Sequence, residues 1–360
     1  MNILITAPSL DVSKNVSGIA AVVTTILSNN KDHSYYHYLL GRPDIVNDFF
    51  WLFRLLNQLV LFPFALKKNK IDLVHQNLPL NAKGISREYI INLWCRVAKI
   101  PVFLHVHGGA FLTEGTVNIF YRRIIKSLFK HSDKVIVLSD LEKESLDRLY
   151  DYNSAVVLCN SIDSKVYKAS ERYITDQVPI ILYLGRIHRS KGVEDIVNAF
   201  RHLKGKIRFK FYLCGTGPLK QYFIDSCKEI LQADFEYYGV VSGKMKVDLI
   251  KEAHVFLLPS RYGEGLPMAL LETMAAGVVP IVTDDASMKY VIQHEINGII
   301  VRKESPLDIS EKINQLFSDD SLYQSISEKA SETVTNYYDI SAYIIRLNIL
   351  YASIFEVKVN

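Results

Sequence analysis

Short β-branched runs alternate with helical patterns along the whole sequence, and few folds accommodate that alternation. Candidate strands fall at 2–6, 73–75, 102–106, 134–138 and 155–158. A second set falls at 180–184, 209–214, 235–238, 255–258, 279–282 and 298–301. Helical stretches at 17–29, 116–130, 192–203 and 305–316 stand between them. Parallel strands cannot be joined by a tight turn, so a helix between two strands reads as a parallel α/β unit. The rhythm stops in a polar stretch, 163–178, which holds Lys165, Lys168, Glu171, Arg172 and Asp176, and then restarts. A chain of 360 residues is also about twice the common domain size. The expected fold is therefore α/β, with two doubly wound, Rossmann-like domains facing a central cleft. The first spans 1–163 and the second 164–339.

Composition narrows the function classes. Hydrophobic residues make up 49% of the chain and charged residues 22%, enough for two packed cores. A net charge of +4 is too small to point to nucleic acid. Cys95, Cys159, Cys214 and Cys227 lie far apart without metal-ligand spacing, and read as small apolar side chains in a reducing cytoplasm. Residues 1–6 read as a strand and not as a leader. The apolar stretch 51–66 is interrupted by Arg54, Asn57, Gln58 and Pro63, and is too short and polar to span a bilayer. A cytoplasmic location is expected.

One segment carries chemistry. Gly263, Gly265 and Pro267 mark a loop, and strong helix formers follow from Met268, with Pro267 expected at the first helical position. Glu264 and Glu272 bracket that helix start. A glycine loop entering a helix attracts anions, because free backbone N–H groups and the helix dipole point outward. Carboxylates beside such a site suit hydroxyl donors. A ligand that carries both phosphates and sugar hydroxyls meets both demands, which describes a nucleotide sugar.

Glu264 and Glu272, with seven residues between them and Gly-Leu-Pro after the first, resemble the Glu-x7-Glu motif of retaining GT-B glycosyltransferases. The likeness is to the large bacterial family that builds lipopolysaccharide, capsule and other surface polysaccharides, the glycosyltransferase group 1 family. It implies that Glu264 contacts the transferred sugar near its 3-hydroxyl and that Glu272 binds the ribose hydroxyls. Gly265 and Leu266 belong to the same donor-binding loop. Gly185-Arg186 and Lys191-Gly192 resemble the family's Gly-Arg-(x)4-Lys-Gly segment, in which the two cations grip the diphosphate. Charge builds on the departing diphosphate, and fixed cations stabilise it. The sequence has no Asp-x-Asp pair, so Arg186 and Lys191 are expected in place of a metal, and no cofactor is expected. Gly215 and Gly217 form a strand-end turn expected to let backbone pass near the ligand. Gly239 and Val240 stand where the family binds the base through backbone groups.

In the first half, the loop 15–20 with Gly18 resembles the family's glycine loop, with Ser17 where a second glycine is common. His107, in His107-Gly108-Gly109, matches the histidine that contacts the donor sugar, while His75 reads as structural. Around Asp285 the family's Gly-Gly-x-Pro-Glu stretch is missing, and adjacent Asp284 and Asp285 read as a turn cap. The terminal helix 340–356 is implied to return to the first domain.

The expected function is transfer of a sugar from a UDP- or GDP-sugar donor to a hydroxyl of a glycan or lipid-linked glycan acceptor, with retention. The expected catalytic residues are His107, Glu264, Arg186 and Lys191. A nucleotide-sugar 2-epimerase, with His105, His188 and Glu264 nominated as acid and base, is one alternative. A non-catalytic nucleotide-sugar sensor is the other. Residues 119–130 place Arg122, Lys126 and Lys130 on one helical face, opposite Phe120, Ile124 and Leu128. That basic face is expected to attract an anionic membrane surface.

Overall fold

A computed structural model of the protein describes every residue except 12, 13, 16, 42–49, 170–177, 286 and 357–360. Val16 and Ala286, and half of the expected linker (170–177), therefore lie outside the described residues. The chain divides into two compact units, Met1–Asn160 with Ile340–Asn360, and Ser161–Asp339.

The first unit holds β1 (Asn2–Ala7), β2 (Ser34–Leu39), β3 (Leu73–Leu78), β4 (Val102–Val106), β5 (Lys134–Val137) and β6 (Val156–Val157). They form one sheet in the order β2-β1-β3-β4-β5-β6, with every neighbouring pair parallel. Every residue of β3 and β4 is buried, as strands covered on both faces must be. β3 nevertheless carries His75, Gln76 and Asn77, each bonded inside the unit. The helix Ile340–Glu356 closes this unit: Tyr351 hydrogen-bonds the His75 Nδ1 at 2.6 Å, and the Asn348 side chain accepts from Asn30 at 2.7 Å.

The second unit holds β7 (Ile180–Leu184), β8 (Lys210–Cys214), β9 (Phe235–Gly239), β10 (Val255–Leu258), β11 (Val279–Thr283) and β12 (Ile299–Val301). Its sheet, also parallel throughout, runs β12-β11-β10-β7-β8-β9. Counted from β7, that is the Rossmann order 3-2-1-4-5-6 read from the other edge.

Four expectations need correction. The strand β2 was not expected; its sequence Ser-Tyr-Tyr-His-Tyr-Leu carries no β-branched residue, and as the edge strand it needs no apolar face on both sides. Pro267 is the N-cap of the helix Met268–Ala275, with extended ψ, and not its first residue. Phe120, in the helix's first turn, is exposed instead of packed, while Ile124 and Leu128 are buried as expected. On the same helix Lys126 is held by Asp151, so its charge is already countered. Residues 51–66 lie in the helix Trp51–Lys68, and no helix among the described residues is long and apolar enough to cross a membrane.

Candidate active site

In open parallel sheets, ligands bind beyond the carboxyl ends of the strands where the strand order reverses. In the second unit that point lies between β7 and β10. The loop after β7 carries Gly185, Arg186 and Lys191; the loop after β10 carries Ser260, Arg261, Glu264, Gly265 and Leu266. These are the two loops the sequence singles out, and the topology makes them neighbours.

The loops are fastened to each other. Arg261 N–H donates to the Ser190 carbonyl at 2.8 Å, and the Arg261 guanidinium forms a two-armed pair with Asp195, both bonds 2.8 Å. A Cβ on Gly192, whose φ is +68°, would stand 2.1 Å from the Pro259 carbonyl oxygen, so only glycine fits there. Behind them, a Cβ on Gly215 would meet the Gly185 oxygen at 1.8 Å, and one on Gly217 the Ile187 oxygen at 2.2 Å. These two glycines therefore let the 214–217 turn lie against the 185–187 backbone, a packing role not anticipated from the sequence. Gly215 N–H also donates to the Gly239 carbonyl at 2.6 Å, which ties the β9 end and Val240 to the same edge.

Within this frame Lys191 and Glu264 meet. The Lys191 ammonium donates to Glu264 Oε1, and the Ser260 hydroxyl donates to the same oxygen at 2.6 Å. Glu264 is buried, and its Oε2 has no hydrogen bond among the described residues. Its backbone N–H donates to Asp285 Oδ2 at 3.0 Å, and Lys303 donates to Asp285 Oδ1 at 2.7 Å. Asp285 thus holds the glutamate loop from below, which replaces the reading of Asp284 and Asp285 as a turn cap. Arg186 is exposed and makes no ion pair among the described residues, so its charge is free for an anion. The buried Tyr183 hydroxyl donates to the Arg186 carbonyl at 2.6 Å, and burial with Glu264 nearby pushes that phenol well above its ordinary range.

Glu272 is separate. It sits buried in the helix Met268–Ala275, and its Oε1 accepts from Tyr167 at 2.9 Å and from Lys246 at 2.6 Å. Burial, then Glu272, pushes the Tyr167 phenol up, so it remains a donor. Glu264 and Glu272 share no partner. Sequence reasoning missed Ser260, Asp285, Lys303, Lys246 and Tyr167. Only Asp285, a strand-end carboxylate opposite the motif, gave a readable sign.

In the first unit, His107 and the loop bearing Gly18 follow β4 and β1 at the carboxyl edge of the sheet. Gly18, exposed with open space where a Cβ would stand, starts the helix Gly18–Asn29, which Ser17 caps by accepting from Ala20 N–H at 3.3 Å. The His107 ring is held by Asn77, with Nε2 2.6 Å from Asn77 Oδ1. Asn77 Nδ2 donates to the Thr6 carbonyl at 2.8 Å, so its oxygen faces His107 and Nε2 carries the proton. Nδ1 is left as an acceptor. The His105 ring lies tilted against His107 with centroids 4.1 Å apart, and His75 bonds His105 at 3.3 Å. Burial drives His107 down to about 3 and His75 to about 3, the latter helped by His107, and His105 well below its ordinary value. All three rings are neutral near pH 7.

Residues 168–333 match the family described as Glycosyl transferases group 1, and residues 22–166 match Glycosyltransferase Family 4. Each half of the chain is thus similar to a glycosyltransferase segment. An uncharacterized glycosyltransferase of Methanocaldococcus jannaschii is 29% identical over 166 residues, which is 46% of this chain and 42% of that protein. The N,N'-diacetylbacillosaminyl-diphospho-undecaprenol alpha-1,3-N-acetylgalactosaminyltransferase of Campylobacter jejuni is 28% identical over 303 residues, 77% of this chain and 79% of that one. The crystal structure of Anabaena HepE in complex with UDP-glucose superposes with a TM-score of 0.76 at 14% identity, over 98% of this chain and 100% of the other. That likeness fixes the GT-B fold. Neither alternative reading gains support from the geometry: His105 is fully buried, and His188 spends Nδ1 accepting from the Ser190 backbone at 3.1 Å.

Proposed function

We propose that this glycosyltransferase moves a sugar from a nucleotide donor to a hydroxyl of a glycan acceptor, with retention at the anomeric carbon. The observation that carries the reading is the Lys191–Glu264–Ser260 cluster at the strand-order reversal of the second sheet, with the free cation of Arg186 on the same loop.

On this reading the second unit is the donor-binding domain and the first the acceptor-side domain. Arg186 and Lys191 take the diphosphate, which would otherwise build charge unaided as it leaves. Glu264, its Oε1 anchored, offers Oε2 to a sugar hydroxyl. Glu272, anchored the same way by Tyr167 and Lys246, offers Oε2 to the ribose. His107 is proposed to accept a sugar hydroxyl at Nδ1. Gly18, Gly185, Gly215, Gly217, Gly239, Val240, Gly265 and Leu266 supply backbone around the donor. The acceptor oxygen attacks the anomeric carbon on the face the phosphate leaves, the sugar–phosphate bond breaks, and the acceptor's proton passes to the departing phosphate oxygen. No carboxylate in the cluster is free of cationic or hydroxyl partners on both oxygens, which favours this displacement over a covalent glycosyl-enzyme. The cations of the cluster carry the metal-independent part of the proposal.

HepE was crystallised with UDP-glucose and the Campylobacter relative is named for an undecaprenol-linked substrate, so UDP-sugars and lipid-linked acceptors are the first to try. GDP-sugars come second. A role in capsule, lipopolysaccharide or related polysaccharide synthesis at the inner face of the plasma membrane follows from that acceptor class. The basic face at Arg122 and Lys130 would add weak attraction, about 1 kcal/mol per residue. The test is incubation with nucleotide sugars, with and without acceptor, and mass spectrometry of the products. Extended acceptor plus free nucleotide supports transfer; an isomerised donor, a donor bound unchanged, or a glycosyl adduct on Glu264 each refutes part of it.

A further inference from the structure

Two neighbouring helices of the first unit turn apolar side chains outward. In Trp51–Lys68, Leu59, Phe62 and Leu66 face the core. Phe53, Leu56, Val60, Leu61 and Phe64 are exposed, Phe53 by 72% and Phe64 by 68%. Their spacing of three, four, one and three residues keeps them on one helical face. Ala82–Ala98, which packs on that helix, repeats the pattern: Ile90, Leu93, Trp94 and Val97 are exposed, Val97 by 75%. Ile119–Lys130, packed on Ala82–Ala98 in turn, adds exposed Ile119 and Phe120 at its start. Single exposed apolar residues are ordinary, but a run of this length over adjoining helices is not.

The charge around this face is one-sided. The three helices together hold ten lysines and arginines. Their one carboxylate, Glu88, is buried and paired with Arg87. Lys67 and Lys68 end the first helix next to Phe64, and Arg54 follows Phe53. An apolar face rimmed by cations without an exposed carboxylate matches the boundary between lipid headgroups and acyl chains. There, ring side chains such as Trp94 sit at headgroup depth and long cations reach anionic phosphates.

We infer that the helices Trp51–Lys68 and Ala82–Ala98 form a docking face that inserts shallowly into an anionic lipid surface. The attachment is mainly apolar, with the cations selecting charged lipid. Its apolar driving force sets it apart from adsorption through the charges of Arg122 and Lys130 alone. It shares with the proposed function only the lipid-linked acceptor, and vesicle insertion and sugar transfer are measured separately, so either can fail alone.

The chain has two tryptophans, so Trp51→Phe leaves Trp94 as sole reporter. With full-length Trp51→Phe protein, vesicles of phosphatidylglycerol and phosphatidylcholine should shift Trp94 emission to the blue, and brominated acyl chains should quench it. High salt should weaken but not abolish binding. Phe53→Ser, Val60→Ser and Phe64→Ser combined should lower vesicle partitioning roughly a hundredfold, with transfer to a soluble acceptor unchanged and circular dichroism native. Unquenched Trp94, or binding abolished by salt and unmoved by the triple change, would overturn the inference. So would a lipid-independent dimer in sedimentation that the triple change makes monomeric, with no vesicle binding; the face would then be a self-association surface.

Discussion

The three neutral histidines of the first unit should make it sensitive to mild acid. His75 and His105 are fully buried, and His107 is part-buried at the strand end. All three are held below their ordinary value, His75 and His107 to about 3. The sign follows from proton counting: below pH 6.5 the unfolded chain binds protons at these rings and the native chain does not. The unfolded state gains, and stability falls as pH falls. At pH 5.5 each such ring costs about 1.4 kcal/mol, so three cost about 4 kcal/mol, less whatever His107 recovers through its exposure to water. For a unit of this size that lowers the unfolding temperature by roughly 10 °C. His33, lowered mainly by burial, adds in the same direction. Most carboxylate effects begin only below about pH 5, so the window from 7.5 to 5.5 isolates the histidines. Calorimetry across that window should show the loss. His105→Leu, which removes a ring whose Nε2 has no partner, should cut the pH slope by about a third. The slope is compared within each protein, so a shift in absolute stability does not matter. An unfolding temperature flat from pH 7.5 to 5.5, or an unchanged slope in the variant, would refute the argument.

Glu272→Ala should weaken nucleotide binding by about 1.5–3 kcal/mol, the worth of a charged hydrogen bond, measured by titration calorimetry; unchanged affinity removes Glu272 from the site. Asn77→Asp places a carboxylate where an amide oxygen now accepts from His107, and should raise the His107 pKa by about 1–3 units. Ring nitrogen NMR would then show an imidazolium forming at higher pH than in the native protein, with a new acid limb in activity, whereas an unmoved titration would deny Asn77 its hold on the ring.

The fold was largely legible because parallel strands covered on both faces read as unbroken apolar runs. β4, β7 and β10 were placed to the residue, since Val-Phe-Leu-His-Val, Ile-Ile-Leu-Tyr-Leu and Val-Phe-Leu-Leu leave no other use for themselves. β2 was not legible because an edge strand answers to one neighbour and to solvent. The outward apolar face of Trp51–Lys68 was hidden for a related reason. A sequence pattern reports that apolar residues share a side, not whether that side is covered. Here the stripe and the core side are both apolar, and only the packed coordinates separate Phe62 from Phe64.

The candidate site divides along the same line. Glu264, Glu272, Arg186 and Lys191 were legible because their chemistry demands a residue type at a fixed spacing. The residues that position them carry no such demand. Asp285 reaches Glu264 across 21 residues of chain, Tyr167 reaches Glu272 across 105, and Thr6, through Asn77, governs a histidine just past the end of another strand. Each acts through one hydrogen bond whose partner is set by strand order. A serine, tyrosine or asparagine of the same type elsewhere reads identically. The consequence is specific to this site: one oxygen of each motif glutamate is already anchored by residues outside the motif. The motif alone therefore underdetermines which oxygen is offered to a ligand, and the sheet topology supplies the answer.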